Sequence, residues 1–206
     1  EWHRRNATRY PSAWQNWYLF CRRTGHGDGD AAQAMVRAAI RRPDLLTSYQ
    51  LALFHWMESE PDEAVRIFEA GIAESSGPDF ALPLALLYDQ TGVTDKRDAL
   101  LKRIVEEMKD MAPKTISVFS MLRDSLAEPD RPIDLAAVDA IIDPIAPASR
   151  AASRFLVGRF LLNRGRAEDA RKYLEPVVSS AAGDPWSRAA AAVWLREAFP
   201  EAKPAP

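Results

Sequence analysis

Two stretches of this chain, about a hundred residues apart, carry the same arrangement of side chains, and that repetition restricts the possible folds more than any other feature. EPDEAVRIFEAGIAESSGPD begins at Glu60, and GRAEDARKYLEPVVSSAAGDP begins at Gly165. Each sets an alanine (Ala64, Ala170) behind an acidic residue. A large apolar residue follows four later (Phe68, Leu174), and a small or branched one three after that (Gly71, Val177). The same frame fits Ala31, Met35 and Ala38, ending at Pro43. It fits more loosely at Ala99 with Leu100 and Ile104, and at Ala137 with Ile141, so that successive anchors lie 33, 35, 38 and 33 residues apart. A period of this size marks stacked supersecondary units, none of which can bury its apolar face without a neighbour.

The units read as helical. AWQNWYLFC places Trp14, Trp17, Tyr18 and Cys21 on one stripe, and YQLALFHWM does the same with Leu51, Ala52 and His55. Alternating patterns are absent and β-branched residues are sparse, so no strand is expected. Helix starts are marked by Pro61 in a first turn and by Asp184 as an N-cap with Pro185 behind it.

Further spacings carry a resemblance. Gly158 stands twelve residues before Ala170, and Ala52 twelve before Ala64. Gly165, Gly25 and Gly92 fall between the helices of their units, and Tyr88 follows the small Ala85 by three. With a period near ~34 residues and two helices per unit, the chain resembles the tetratricopeptide repeat family. The resemblance runs over roughly residues 11–185. It departs in the fourth unit, APKTISVFSMLRDSLAEPDRPIDLAAVDAI, which has a long Pro-bearing turn and no small residue where one is wanted. Trp14 with Trp17 is also similar to the related half-a-tetratricopeptide pattern of RNA-processing scaffolds, which the remaining chain does not sustain. The implied fold is an all-α, right-handed α-α superhelix of about five helix pairs, a single domain over 1–200. Its units are 11–43, 44–77, 78–112, 113–147 and 148–183, with a capping helix over 185–199 and a flexible tail, 201–206.

The resemblance also implies a working surface. In the family, the first helices of successive units line a concave groove. Carried over by offset from the small crossing residue, the positions facing it are Gln15, Leu19 and Arg22; Tyr49, Leu53, Trp56 and Met57; Leu82, Leu86 and Asp89; and Phe155, Arg159 and Asn163. That set is apolar for surface positions, as contact sites are, and Trp, Tyr and Arg are the common energetic anchors. The competing reading buries Tyr49, Leu53 and Trp56 under another helix of the same chain, such as one from the irregular fourth unit. The clamp by which one subset of the family holds a C-terminal carboxylate is missing. Gln15 and Leu19 stand where its Lys and Asn would be, and Gln50, Asp79 and Pro83 at the later positions. The expected partner is therefore a protein, bound as an amphipathic helix or an extended apolar peptide.

Other chemistries find little support. TGHGDGDAA resembles a metal loop, but the twelfth position from Asp28 is Ala39, where a calcium loop needs a bidentate Glu. The glycines suit a turn, with Asp30 capping the helix that starts at Ala31. His3, His26 and His55 are far apart and lack the i, i+4 spacing of a helical metal site, so His55 and Cys21 read as core residues. No phosphate loop or serine elbow occurs, and catalytic, cofactor and metal residues are expected to be none. A net charge of −2 argues against a nucleic-acid partner, and no apolar run suits membrane insertion. The chain opens at EWHRRN without Met, which suggests a piece of a longer protein, so cytoplasmic and periplasmic locations both stay open. Its Ala- and Arg-rich composition suits a bacterial source, and a homo-oligomer is compatible with it. Two alternatives stand beside the scaffold reading: a regulatory or docking domain of a larger enzyme or export assembly, and an α-helical enzyme with a deep pocket.

Overall fold

The computed structural model describes residues 11–25, 33, 47–74, 78–107, 113–127 and 133–200. Among the described residues all regular structure is helical. The ten helices are α1 (Pro11–Thr24), α2 (Ser48–Met57), α3 (Pro61–Glu74), α4 (Pro78–Thr91) and α5 (Thr94–Glu107), then α6 (Pro113–Ala127), α7 (Leu135–Ile142), α8 (Pro147–Asn163), α9 (Ala167–Ser179) and α10 (Pro185–Ala198). Six of them open on Pro, which lacks the N–H that a first helical turn leaves unpaired anyway. Local signals set other ends. Thr47 and Gln50 form a reciprocal capping box at α2, and the Asp184 carboxylate accepts the Ser187 amide at α10. Gly25, Gly92 and Gly165 all have φ near +70°, the left-handed region that ends a helix with little strain only at glycine. All three lie at the expected turns.

Helices adjacent in sequence pack as pairs: α2 on α3, α4 on α5, α6 on α7, α8 on α9. The small residues of the repeated frame sit where helices come closest. Ala52, Ala64, Ala85 and Ala170 have no exposed surface. Gly158 is tighter still, because a Cβ there would lie 2.5 Å from Cγ and Cδ2 of the buried Leu174. Phe68 and Leu174 fill the space beside these crossings. The frame slips in the third and fourth units. Ala99 is exposed, and the residue twelve after Ala85 is Arg97, which is buried. Its guanidinium leaves the crossing to meet Asp89, so a long cation occupies the slot of a small residue. In α7 the buried positions are Val138 and Ile142, one residue beyond Ala137 and Ile141.

First and second helices differ in character. The second helices α3 and α9 bury one stripe and leave the rest in water. By contrast α2 is buried continuously from Ala52 to Met57, α4 from Ala81 to Tyr88, and α10 from Ala189 to Trp194. A helix that is apolar all round belongs inside. Accordingly α10 packs on α9, on α1 and α2, and on α8, while α8 also meets α4. Helix α10 therefore does more than cover the last pair, as an end cap would. It joins the first and last of the described helices.

Candidate functional site

Of the residues expected to line a groove, those of α4 and α8 and those of α2 other than Tyr49 belong to a closed seam between α2, α4, α8 and α10. Leu53, Trp56, Met57, Leu82, Leu86, Phe155 and Arg159 are all buried. The Trp194 ring lies 4.9 Å from Trp56 and stacks on Phe155 at 5.0 Å. The covering helix is thus α10, and not one from the fourth unit. Tyr49 faces elsewhere, edge-on to Phe68 and Phe80 at 5.9 and 6.0 Å. Gln15 and Leu19 are half-buried on α1.

Arg159 is the centre of the seam. Its guanidinium carbon lies 4.6 Å from the Trp194 ring centroid and 5.2 Å from that of Trp56, so one cation faces two adjoining indoles. One Nη donates to Oε1 of Gln90 at 2.6 Å, and Trp56 Nε1 donates to the same oxygen at 2.8 Å. Nε is buried without a hydrogen-bond partner. Burial disfavours the charged form and lowers the Arg159 pKa to about 10, with the Glu197 carboxylate pulling the other way. The residue is 9% exposed and is hydrogen-bonded to a neutral amide alone.

Next to it, Asp89 gathers the ends of three helices. Its Oδ1 accepts from Arg97 at 2.8 Å and from Arg164 at 3.3 Å. Asn163 donates 2.9 Å to the Leu86 carbonyl and 3.4 Å to Oδ2 of Asp89. Arg97 and Asp89 are 6% and 7% exposed at their side chains, so this ion pair is buried and each partner depends on the other.

A second polar hub joins α1 to the body. Glu58, just past α2, accepts 2.6 Å hydrogen bonds from the Tyr18 hydroxyl and from Arg22, and another from Gln33. Burial first, and the Glu58 charge second, raise the Tyr18 pKa well above its ordinary value. Arg196 of α10 donates to the carbonyls of Arg23, at 3.0 Å, and Arg22. This places a cation on the negative end of the α1 dipole. Tyr18 also meets Trp186 at 5.8 Å, so α10 touches both ends of the fold with one indole each.

Sequence reasoning brought Trp56, Phe155, Arg159, Asp89 and Asn163 to one place but missed their partners Trp194, Gln90, Arg97 and Glu58. The run AAAAVWL at Ala189–Leu195 was the available signal, since its apolar residues go all the way round a helix. His55 is buried, with Nδ1 2.7 Å from Glu60, and Cys21 is a buried thiol in no disulfide, both as expected of core residues. The glycine-aspartate stretch at 26–30, its helix start at Ala31, His3 and the side chain of Trp14 lie outside the described residues. Among the described residues no three His, Cys, Asp or Glu gather as metal ligands, and no helix is long and apolar enough to cross a membrane. No family model, no curated protein and no solved structure matches this chain.

Proposed function

We propose that this chain is a non-catalytic protein–protein interaction scaffold of the tetratricopeptide-like kind, whose inner wall holds an apolar or amphipathic helix. The observation that supports the reading is the seat of α10. Side chains from α2, α8 and α1 converge on Trp194 and Trp186, the aromatic anchors of a single helix. Large aromatics in enclosed seats carry most of the free energy of such contacts. A partner helix would take the seat that α10 fills in the chain alone. Because α10 also packs on α9, the exchange requires it to leave both neighbours.

The test uses the full chain, unfolded in urea and refolded by dilution with an excess of fluorescent peptide spanning Asp184–Phe199. The peptide should co-elute with the chain in size exclusion, and its Trp194→Ala variant should not. A native peptide that elutes alone would reduce the wall to ordinary core and end the scaffold reading.

A further inference from the structure

The wall has one polar demand that α10 does not meet. Arg159 is nine-tenths buried, two indoles lie against its guanidinium, and its one hydrogen bond runs to the Gln90 amide. Its Nε has no partner. A buried cation is stabilised mainly by a hydrogen-bonded anion, and charge-assisted bonds are roughly twice as strong as neutral ones. The helix in the seat brings its one nearby carboxylate, Glu197, to the exposed side, where it makes no hydrogen bond to Arg159. The positions one turn either side of Trp194 are otherwise alanines, Ala190, Ala191 and Ala198, beside Glu197 itself, whose charge reaches Arg159 only through space. The seat is thus filled sterically and left short of one hydrogen-bonded carboxylate.

We infer that the partner this wall selects is an acidic amphipathic helix, one that seats an aromatic anchor between Trp56 and Phe155 and delivers a carboxylate to Nε and Nη of Arg159. This rests on the scaffold reading and specifies its partner. Two neighbouring features agree with it. Asp89 is already saturated by Arg97, Arg164 and Asn163, so no carboxylate of the wall is free to turn to Arg159. Glu58 is saturated in the same way by Tyr18, Arg22 and Gln33. The anion therefore has to come with the occupant. Side chains on a helix lean toward its N-terminus, so a glutamate four residues after the anchor projects back over it, whereas Glu197, three after it, lies on the exposed side.

The experiment is the same refolding capture with a set of Asp184–Phe199 peptides. Each carries Glu197→Ala together with one glutamate restored by Ala190→Glu, Ala191→Glu or Ala198→Glu, so all match the native peptide in charge. At least one placement should be held about tenfold tighter than the native peptide or more. In the Arg159→Met chain that gain should vanish while capture of the native peptide persists. In the Gln90→Glu chain, which supplies the carboxylate internally, it should vanish as well. Either chain is used once circular dichroism shows native helix content, and a failure of one to fold leaves the other as the control. Capture of every peptide with equal strength would overturn the acidic-helix inference and leave the scaffold reading intact. Failure to capture any of them would remove the scaffold reading itself.

Discussion

At Gly158 the chain has no room for a single methyl group. A Cβ would lie 2.5 Å from Leu174, which is fully buried and cannot swing into water. Gly158→Ala therefore sets the better helix former against a clash, and the clash wins: a loss of about 1–3 kcal/mol is expected, read as a lower urea midpoint at an unchanged slope. Arg97 poses the opposite case, a residue too large for its slot that is retained by a charge. Arg97→Ala leaves the buried Asp89 carboxylate with Arg164 at 3.3 Å and Asn163 at 3.4 Å. It should cost roughly 3 kcal/mol, and adding Asp89→Asn should recover part of that, a non-additivity that a double-mutant cycle detects. The phenols set the behaviour at high pH. Tyr18, Tyr88 and Tyr173 have raised pKa values, from burial and then from the carboxylates of Glu58, Glu69 and Asp139. Their neutral forms are favoured by folding, so that contribution is complete below about pH 10, the unfolded value. It is lost as pH rises further. Arg159 and Arg196, both lowered by burial, work in the other direction, but they are two groups against three. The expected outcome is an alkaline unfolding limb starting near pH 10, with phenolate absorbance rising together with loss of ellipticity.

At the level of helices, the sequence was most readable where a small residue and a turn glycine agreed. Ala64 and Ala170 lie at crossings, Gly25, Gly92 and Gly165 close their helices with positive φ, and Asp184 caps α10, all where spacing put them. Reading failed at α5 because Ala99 was chosen for its small size, whereas counting twelve from Ala85 gives Arg97, whose size is accommodated only through Asp89. That pairing joins residues on two helices and leaves no mark in either helix alone. The candidate site was legible as a set of residues and not as a surface. Trp56, Phe155 and Arg159 were identified as inward-facing, but whether an inner wall is open depends on where the last helix goes. Periodicity describes a helix's faces and not its neighbours. For α10 the relevant clue was burial on every side, Ala189 to Trp194, where a terminal cap would leave one face to water.

Considered whole, the molecule differs from an open repeat array in its connectivity. In an open array each unit touches only the next, stability is a sum over neighbours, and ends fray first. Here α10 contacts α1, and Arg196 bonds a carbonyl 174 positions away. Urea unfolding should accordingly be one transition, with tryptophan fluorescence and labelling of the buried Cys21 thiol superimposing. A separate early phase for Cys21 would show that α1 opens by itself.

The bridge from Arg196 to α1 also bears on how the chain is made. Helix α1 leaves the ribosome long before the helix that shields it exists. At roughly 5–20 residues per second the delay is on the order of ten to thirty seconds. Through that interval Trp17, Tyr18 and Cys21 lack the cover they have in the finished molecule, so this apolar stripe stays in water until α10 arrives.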